Sequence, residues 1–169
     1  IYAVKLIKRV YKEHIMKIAL GSDNMGYDLK EEIKKYLQEQ QLVPVDLHDL
    51  GVFDKTPMDY PDIAEKVALA VAAGECERGI LICGTGIGMA ISANKVPGVR
   101  AAQAHDVYSA ERARKRNDAQ IITLGALVVG VEHAKMIISA RLPSEFAGGR
   151  SAPNVDKMKA LDERYPSNM

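Results

Sequence analysis

The sequence predicts an α/β fold, a five-stranded parallel sheet with helices on both faces. Short apolar runs alternate along the chain with segments whose apolar residues recur three or four apart, the signature of βαβ units. The runs are near-continuously apolar, as strands buried on both faces are. A glycine-rich turn, Gly84-Thr85-Gly86-Ile87-Gly88, follows the third run where a strand gives way to a helix.

Each element follows from its residues. Lys17 to Gly21 reads as the first strand, and Tyr27 to Gln41 as a helix with Leu29, Ile33, Tyr36 and Leu37 at helical spacing. Val43 to Leu47 is the second strand. A loop holding Gly51, Pro57 and Pro61 leads to a helix over Asp62 to Ala73, whose Ile63, Val67 and Val71 share a face. Gly79 to Cys83 is the third strand and Ile87 to Ala93 a short helix. Val99 to Ala104 is the fourth strand, Tyr108 to Arg116 a charged helix, and Ile121 to Leu124 the fifth strand. Helices over Val131 to Arg141 and Asn154 to Arg164 complete the chain. No repeat, low-complexity stretch or linker divides it, so residues 16–165 form one domain.

Composition narrows the function. The chain of 169 residues is 47% apolar without any run of about 18 apolar residues, so no membrane span is expected. A net charge of +1 and the lack of a basic, aromatic-interleaved stripe speak against nucleic acid. Cys76 and Cys83 are too few for a disulfide framework and lack zinc-site spacing, which fits a reduced cytoplasmic compartment. His14, His48 and His133 are scattered, and neither metal nor cofactor is expected. Ile1 to Ile15 carry a local balance of +3 against −2 for the rest. That segment reads as an N-terminal extension outside the fold, with a basic docking or targeting turn as the alternative.

In open parallel sheets, ligands sit beyond the carboxyl ends of the strands where strand order reverses. Asp23 after strand one and Cys83 after strand three occupy such ends. Backbone N–H groups at the glycine turn favour negative charge, which suits a neighbouring thiol to proton abstraction. A small buried cysteine and a helix-capping aspartate are the structural alternatives.

Gly21-Ser22-Asp23, Asp59-Tyr60-Pro61, Cys83-Gly84-Thr85-Gly86-Ile87-Gly88, Ala93-Asn94-Lys95-Val96-Pro97-Gly98, Arg116-Asn117-Asp118 and Gly148-Gly149-Arg150 follow one another in this order. Together they resemble the ribose-5-phosphate isomerase B family, which includes the galactose-6-phosphate isomerase subunits, from Met16 to about Glu163. The resemblance implies a three-layer Rossmann-like fold and a cofactor-free aldose–ketose isomerisation of a small sugar phosphate through an enediol. It implies Cys83, Thr85 and Asp23 as catalytic residues, with Cys83 the base. Asn24, Tyr60, Gly84, Gly86, Ile87, Gly88, Arg116, Asn117 and Arg150 are then the substrate-binding set. It also implies a homodimer or dimer of dimers with interfacial sites.

The chain departs from the family in four places. Asn24 and Arg116 stand where histidines are common, the latter the histidine that opens the sugar ring, and Leu127 and Asn154 stand where phosphate-binding arginines are common. Arginine cannot shuttle protons at neutral pH but binds oxyanions in a bidentate fashion. His105 offers a replacement histidine, although His105-Asp106 also reads as a helix cap, and Arg112, Arg114, Lys115 and Arg116 read as a solvated face or a relocated anion site. Three functions follow: ribose 5-phosphate isomerisation with compensating residues, isomerisation of an acyclic, acidic or unphosphorylated sugar, or a half-site subunit working beside a paralogue.

Overall fold

A computed structural model describes residues 14–165. Five strands are present: β1 (Met16–Ser22), β2 (Val45–Asp49), β3 (Arg78–Cys83), β4 (Ala101–Gln103) and β5 (Ile121–Gly125). All pair in parallel, in the order β2-β1-β3-β5-β4. The helices are α1 (Tyr27–Glu39), α2 (Tyr60–Ala72), α3 (Ile87–Ala93), α4 (Val107–Asn117), α5 (Val131–Arg141) and α6 (Ala152–Arg164). This is the predicted three-layer α/β architecture. The N-terminal extension falls outside the described residues apart from His14 and Ile15, where His14 Nε2 lies 2.9 Å from Glu77 Oε2.

β3 is paired on both sides and buried throughout. One core layer packs Leu29, Ile33, Ile137 and Ile138 against Ile18, Leu20, Ile80 and Leu124. The opposite layer packs Ile63, Val67 and Met89 against Ala19, Leu81 and Ile121.

Element ends depart from the expectation for local reasons. α1 stops two residues early because Gln40 turns extended. Its side-chain amide donates to Val43 O at 2.6 Å and its oxygen accepts from Leu42 N at 2.6 Å, a side-chain stop competing with the helix. With Val43 held there and Pro44 lacking an N–H, β2 begins at Val45. α2 starts two residues earlier than predicted, since Pro61 is at home in a first helical turn. β4 shrinks to three residues, its start bracketed by Asn94, whose amide bonds both N and O of Ala101 at 2.8 Å. A 3₁₀ turn at Gly149–Ser151 precedes α6, following Gly148 and entered through Gly149, both at positive φ.

Candidate active site

β1 and β3 lie side by side, and the chain leaves their carboxyl ends in opposite directions, which makes this edge the switch point of the sheet. Asp23 and Cys83 meet there. Asp23 N donates to Ile82 O at 3.2 Å, one residue before the cysteine. Asn24 follows, half-buried. Asp23 is not the cap of α1: the N-cap is Gly26, and Asp23 Oδ1 accepts from Gly26 N at 2.9 Å. Only 7% of Asp23 is exposed, and burial pushes its carboxyl above the usual carboxylate range, against the pull of the Gly26 and Met25 amides. It therefore keeps its proton to higher pH than a surface aspartate and can donate as well as accept.

The glycine turn wraps the thiol. Gly86 adopts φ +78°, closed to most side chains, and its N–H donates to Cys83 Sγ at 3.1 Å. Ile87 N donates to Thr85 Oγ1 at 3.3 Å. These two turn amides are therefore engaged within the turn. A methyl group on Gly88 would sit 2.5 Å from the Tyr60 ring, so Tyr60, opening α2, lies directly over the turn. Cys83, Thr85, Asp23, Asn24, Tyr60, Gly84, Gly86, Ile87 and Gly88 are thus one neighbourhood.

Spacing alone did not reveal what braces the turn. Gln103 Nε2 donates to Thr85 O at 2.6 Å and Thr123 Oγ1 to Gly86 O at 2.7 Å. Ala126 N holds Cys83 O at 2.8 Å and Leu127 N holds Gly84 O at 3.0 Å. His105 accepts from Gly125 N at 2.9 Å through Nε2, and Gly125 is the register partner of Cys83. The helix-capping role goes to Asp106, which accepts from Ser109 N at 2.7 Å.

Arg116, Asn117 and Arg150 lie apart from this neighbourhood. α4 leaves the carboxyl edge after His105 and ends where Arg100, before β4, donates to Asn117 O at 3.2 Å and Asp118 O at 3.1 Å. Its eleven residues span about 15 Å, which carries Arg116 toward the amino edge of the sheet. Tyr108, Arg112 and Arg116 recur four apart on α4 and, with Arg150 and Ser151, line an open basic groove. Arg112 stacks 5.0 Å from the Tyr108 ring centroid. Among the described residues no helix is long and apolar enough to cross a membrane.

Comparison with known proteins places this geometry. A family model described as Ribose/Galactose Isomerase matches residues 18–158. A protein of Listeria innocua named ribose-5-P isomerase B is 54% identical over 149 residues, 88% of this chain and 99% of its own. A D-erythrulose-4-phosphate isomerase of Pectobacterium atrosepticum is 53% identical over 144 residues, 85% of this chain and 93% of its own. The solved structure of Clostridium thermocellum ribose-5-phosphate isomerase B superimposes with a TM-score of 0.85 at 47% identity, covering 89% of this chain and 99% of that one.

Proposed function

This chain belongs to the ribose/galactose isomerase family, and from that premise we propose how its site works and which sugars it takes. It is an aldose–ketose isomerase of sugar phosphates, an intramolecular oxidoreductase in which the sugar is both oxidant and reductant.

Cys83 is the base. As thiolate it removes a proton from C1 of the ketose. The electron pair forms the C1=C2 double bond, and the C2 carbonyl becomes an enediolate oxygen. Return of that proton to C2, with loss of the O1 proton, makes C1 the aldehyde and C2 a secondary alcohol. The turn amides that are not engaged within the turn are the donors for the developing oxyanion in this reading, where fixed donors are worth a few kcal/mol. Asp23, its carboxyl raised by burial, moves the hydroxyl proton between O1 and O2. The observation that supports this reading most directly is the Gly86 N–H aimed at Cys83 Sγ beside a buried Asp23.

The preferred substrate is a short phosphorylated sugar that stays open. A four-carbon ketose or aldose with phosphate on O4 has no hydroxyl left to close a five-membered ring, whereas ribose 5-phosphate closes through O4 and must be opened. A site with Arg116 at the usual ring-opening histidine suits the first kind, and a relative 53% identical carries the name of such an isomerase. Erythrose 4-phosphate is expected to exceed ribose 5-phosphate in kcat/KM by tenfold or more in a coupled assay of the lone chain. Arg116→His is expected to narrow that gap. Equal turnover of both sugars, unchanged by Arg116→His, refutes the acyclic reading. A lone chain inactive on every C4 to C6 sugar phosphate points instead to the half-site subunit.

The chain works as a homodimer in this proposal, because Arg116, at the far end of α4, and Arg150, in the turn across the same groove, lie too far from Cys83 of their own protomer to meet its substrate. A second copy supplies them. Two weakly active variants, Cys83→Ser and Arg116→Ala, are expected to regain about a quarter of wild-type activity when mixed and reassembled, the share of sites built from intact halves in a two-fold dimer. Mixtures no more active than their components argue that each protomer holds its own complete site.

A further inference from the structure

Lys30 has no part in the chemistry above, yet it is fully buried. It stands on α1 between the core residues Leu29 and Ile33, where helical spacing alone would put a solvated lysine. Its ammonium reaches the carboxyl end of β2 and meets Asp49 Oδ1 at 2.9 Å and Oδ2 at 3.0 Å. It donates to the carbonyl of Val52 at 2.6 Å. The rings of Tyr27 and Phe53 each have their centroid 5.5 Å from it. A buried ammonium persists only when charge and hydrogen bonds are both answered, and here four oxygens, Glu31 Oε1 at 3.1 Å among them, and two aromatic faces answer them.

The location of that carbonyl gives the network its meaning. Ser22 N donates to Gly51 O at 2.7 Å, and Val52 N donates back to Ser22 O at 2.8 Å. Ser22 is the last residue of β1, immediately before Asp23. The same loop continues through Phe53, with Lys55 paired to Asp28 at 2.7 Å, into Tyr60 over the glycine turn. Lys30 thus grips the loop at Val52 O, one peptide beyond the Gly51–Val52 peptide that is stitched to the Asp23 strand end.

We propose that Lys30 is a positioning residue of this enzyme. It acts through the Val52 carbonyl to fix the loop between β2 and α2, and so sets the relative placement of Asp23 and Tyr60 around the substrate. It touches neither sugar nor Cys83. This rests on the isomerase reading of the Cys83 site, and it assigns to a fully buried cation the support that active-site geometry requires from outside the first layer of contacts.

The test compares three chains of the full-length protein on the sugar phosphate that the wild type turns over best. Lys30→Met combined with Asp49→Asn removes the grip without stranding a buried charge. Leu37→Ala, on the same helix face but at its far end, supplies a matched loss of stability. At a temperature where all three are folded, the double variant is expected to lose tenfold or more in kcat/KM, whereas Leu37→Ala stays within about twofold of wild type. Displaced amide resonances of Ser22, Asp23 and Tyr60 should accompany the first loss and not the second. A smaller loss in the double variant, or an equal one in Leu37→Ala, overturns the proposal. If the double variant does not fold, Lys30→Met alone decides, since Lys34 at 2.6 Å still pairs Asp49: a threefold or larger loss supports the role, and anything less refutes it. A wild-type chain without turnover would refute the isomerase reading, which separates that failure from this one.

Discussion

Cys83→Ser is expected to lower kcat by about 10²–10⁴-fold, the usual contribution of a positioned proton-transfer group, with little change in melting temperature. The two side chains are close in size. The hydroxyl can still accept from Gly86 N, which now donates to Sγ at 3.1 Å, so the turn keeps its shape. What is lost is the anionic base, because a serine hydroxyl does not ionise near neutral pH and no imidazole partners it. Steady-state kinetics beside a thermal melt check both halves of the expectation. Near-normal turnover in the folded variant would remove Cys83 from the mechanism and leave Asp23 the stronger candidate base.

The second large effect is expected at Gly125→Ala. A Cβ there would lie 2.7 Å from the carbonyl carbon and oxygen of Thr85, and both sides of that contact are backbone. Neither can yield cheaply. Ala126 N is bonded to Cys83 O, and the Gly125 N–H is held by His105. The glycine turn must therefore be pushed away from β5. A displacement of about 1 Å at a reacting centre costs on the order of 10²-fold in rate, and overpacking costs about 1–3 kcal/mol in stability. Gly130→Ala is the comparison, since a Cβ there meets nothing within 4 Å. Retention of activity within threefold in Gly125→Ala would show that the turn tolerates movement.

The sequence foretold some of this and not the rest, for physical reasons. The order and type of the five strands and six helices follow from apolar period, which burial imposes on every residue of a strand or helix face. Their ends depend on single side chains, such as the Gln40 amide that stops α1 and the Asn94 amide that brackets β4. No period carries that information. At the site, Asp23 and Cys83 were legible because strand ends beside a glycine turn are a property of local chain order. Gln103 and Thr123 were not, and His105 was legible only as a replacement histidine or a cap, since each braces the turn from an element remote in sequence. Lys30 reads as a surface lysine by type, and only the β2 end it meets shows why it is buried. Arg116 was legible as a departure, but its distance from Cys83 along α4 required the fold.

The two thiols of the chain sit near opposite ends of the central sheet, and they present different targets to an electrophile. Cys76 is 2% exposed, and burial together with Glu75 and Asp46 pushes its thiol up, away from the reactive anion. Cys83 is 5% exposed and lies in the glycine turn to which the proposed mechanism brings the substrate. A sugar phosphate mimic bearing a mild alkylating group would therefore be delivered to one sulfur and ignored by the other. The fold thus offers a route to irreversible inhibitors whose selectivity comes from delivery, and the stoichiometry of labelling would count working sites directly.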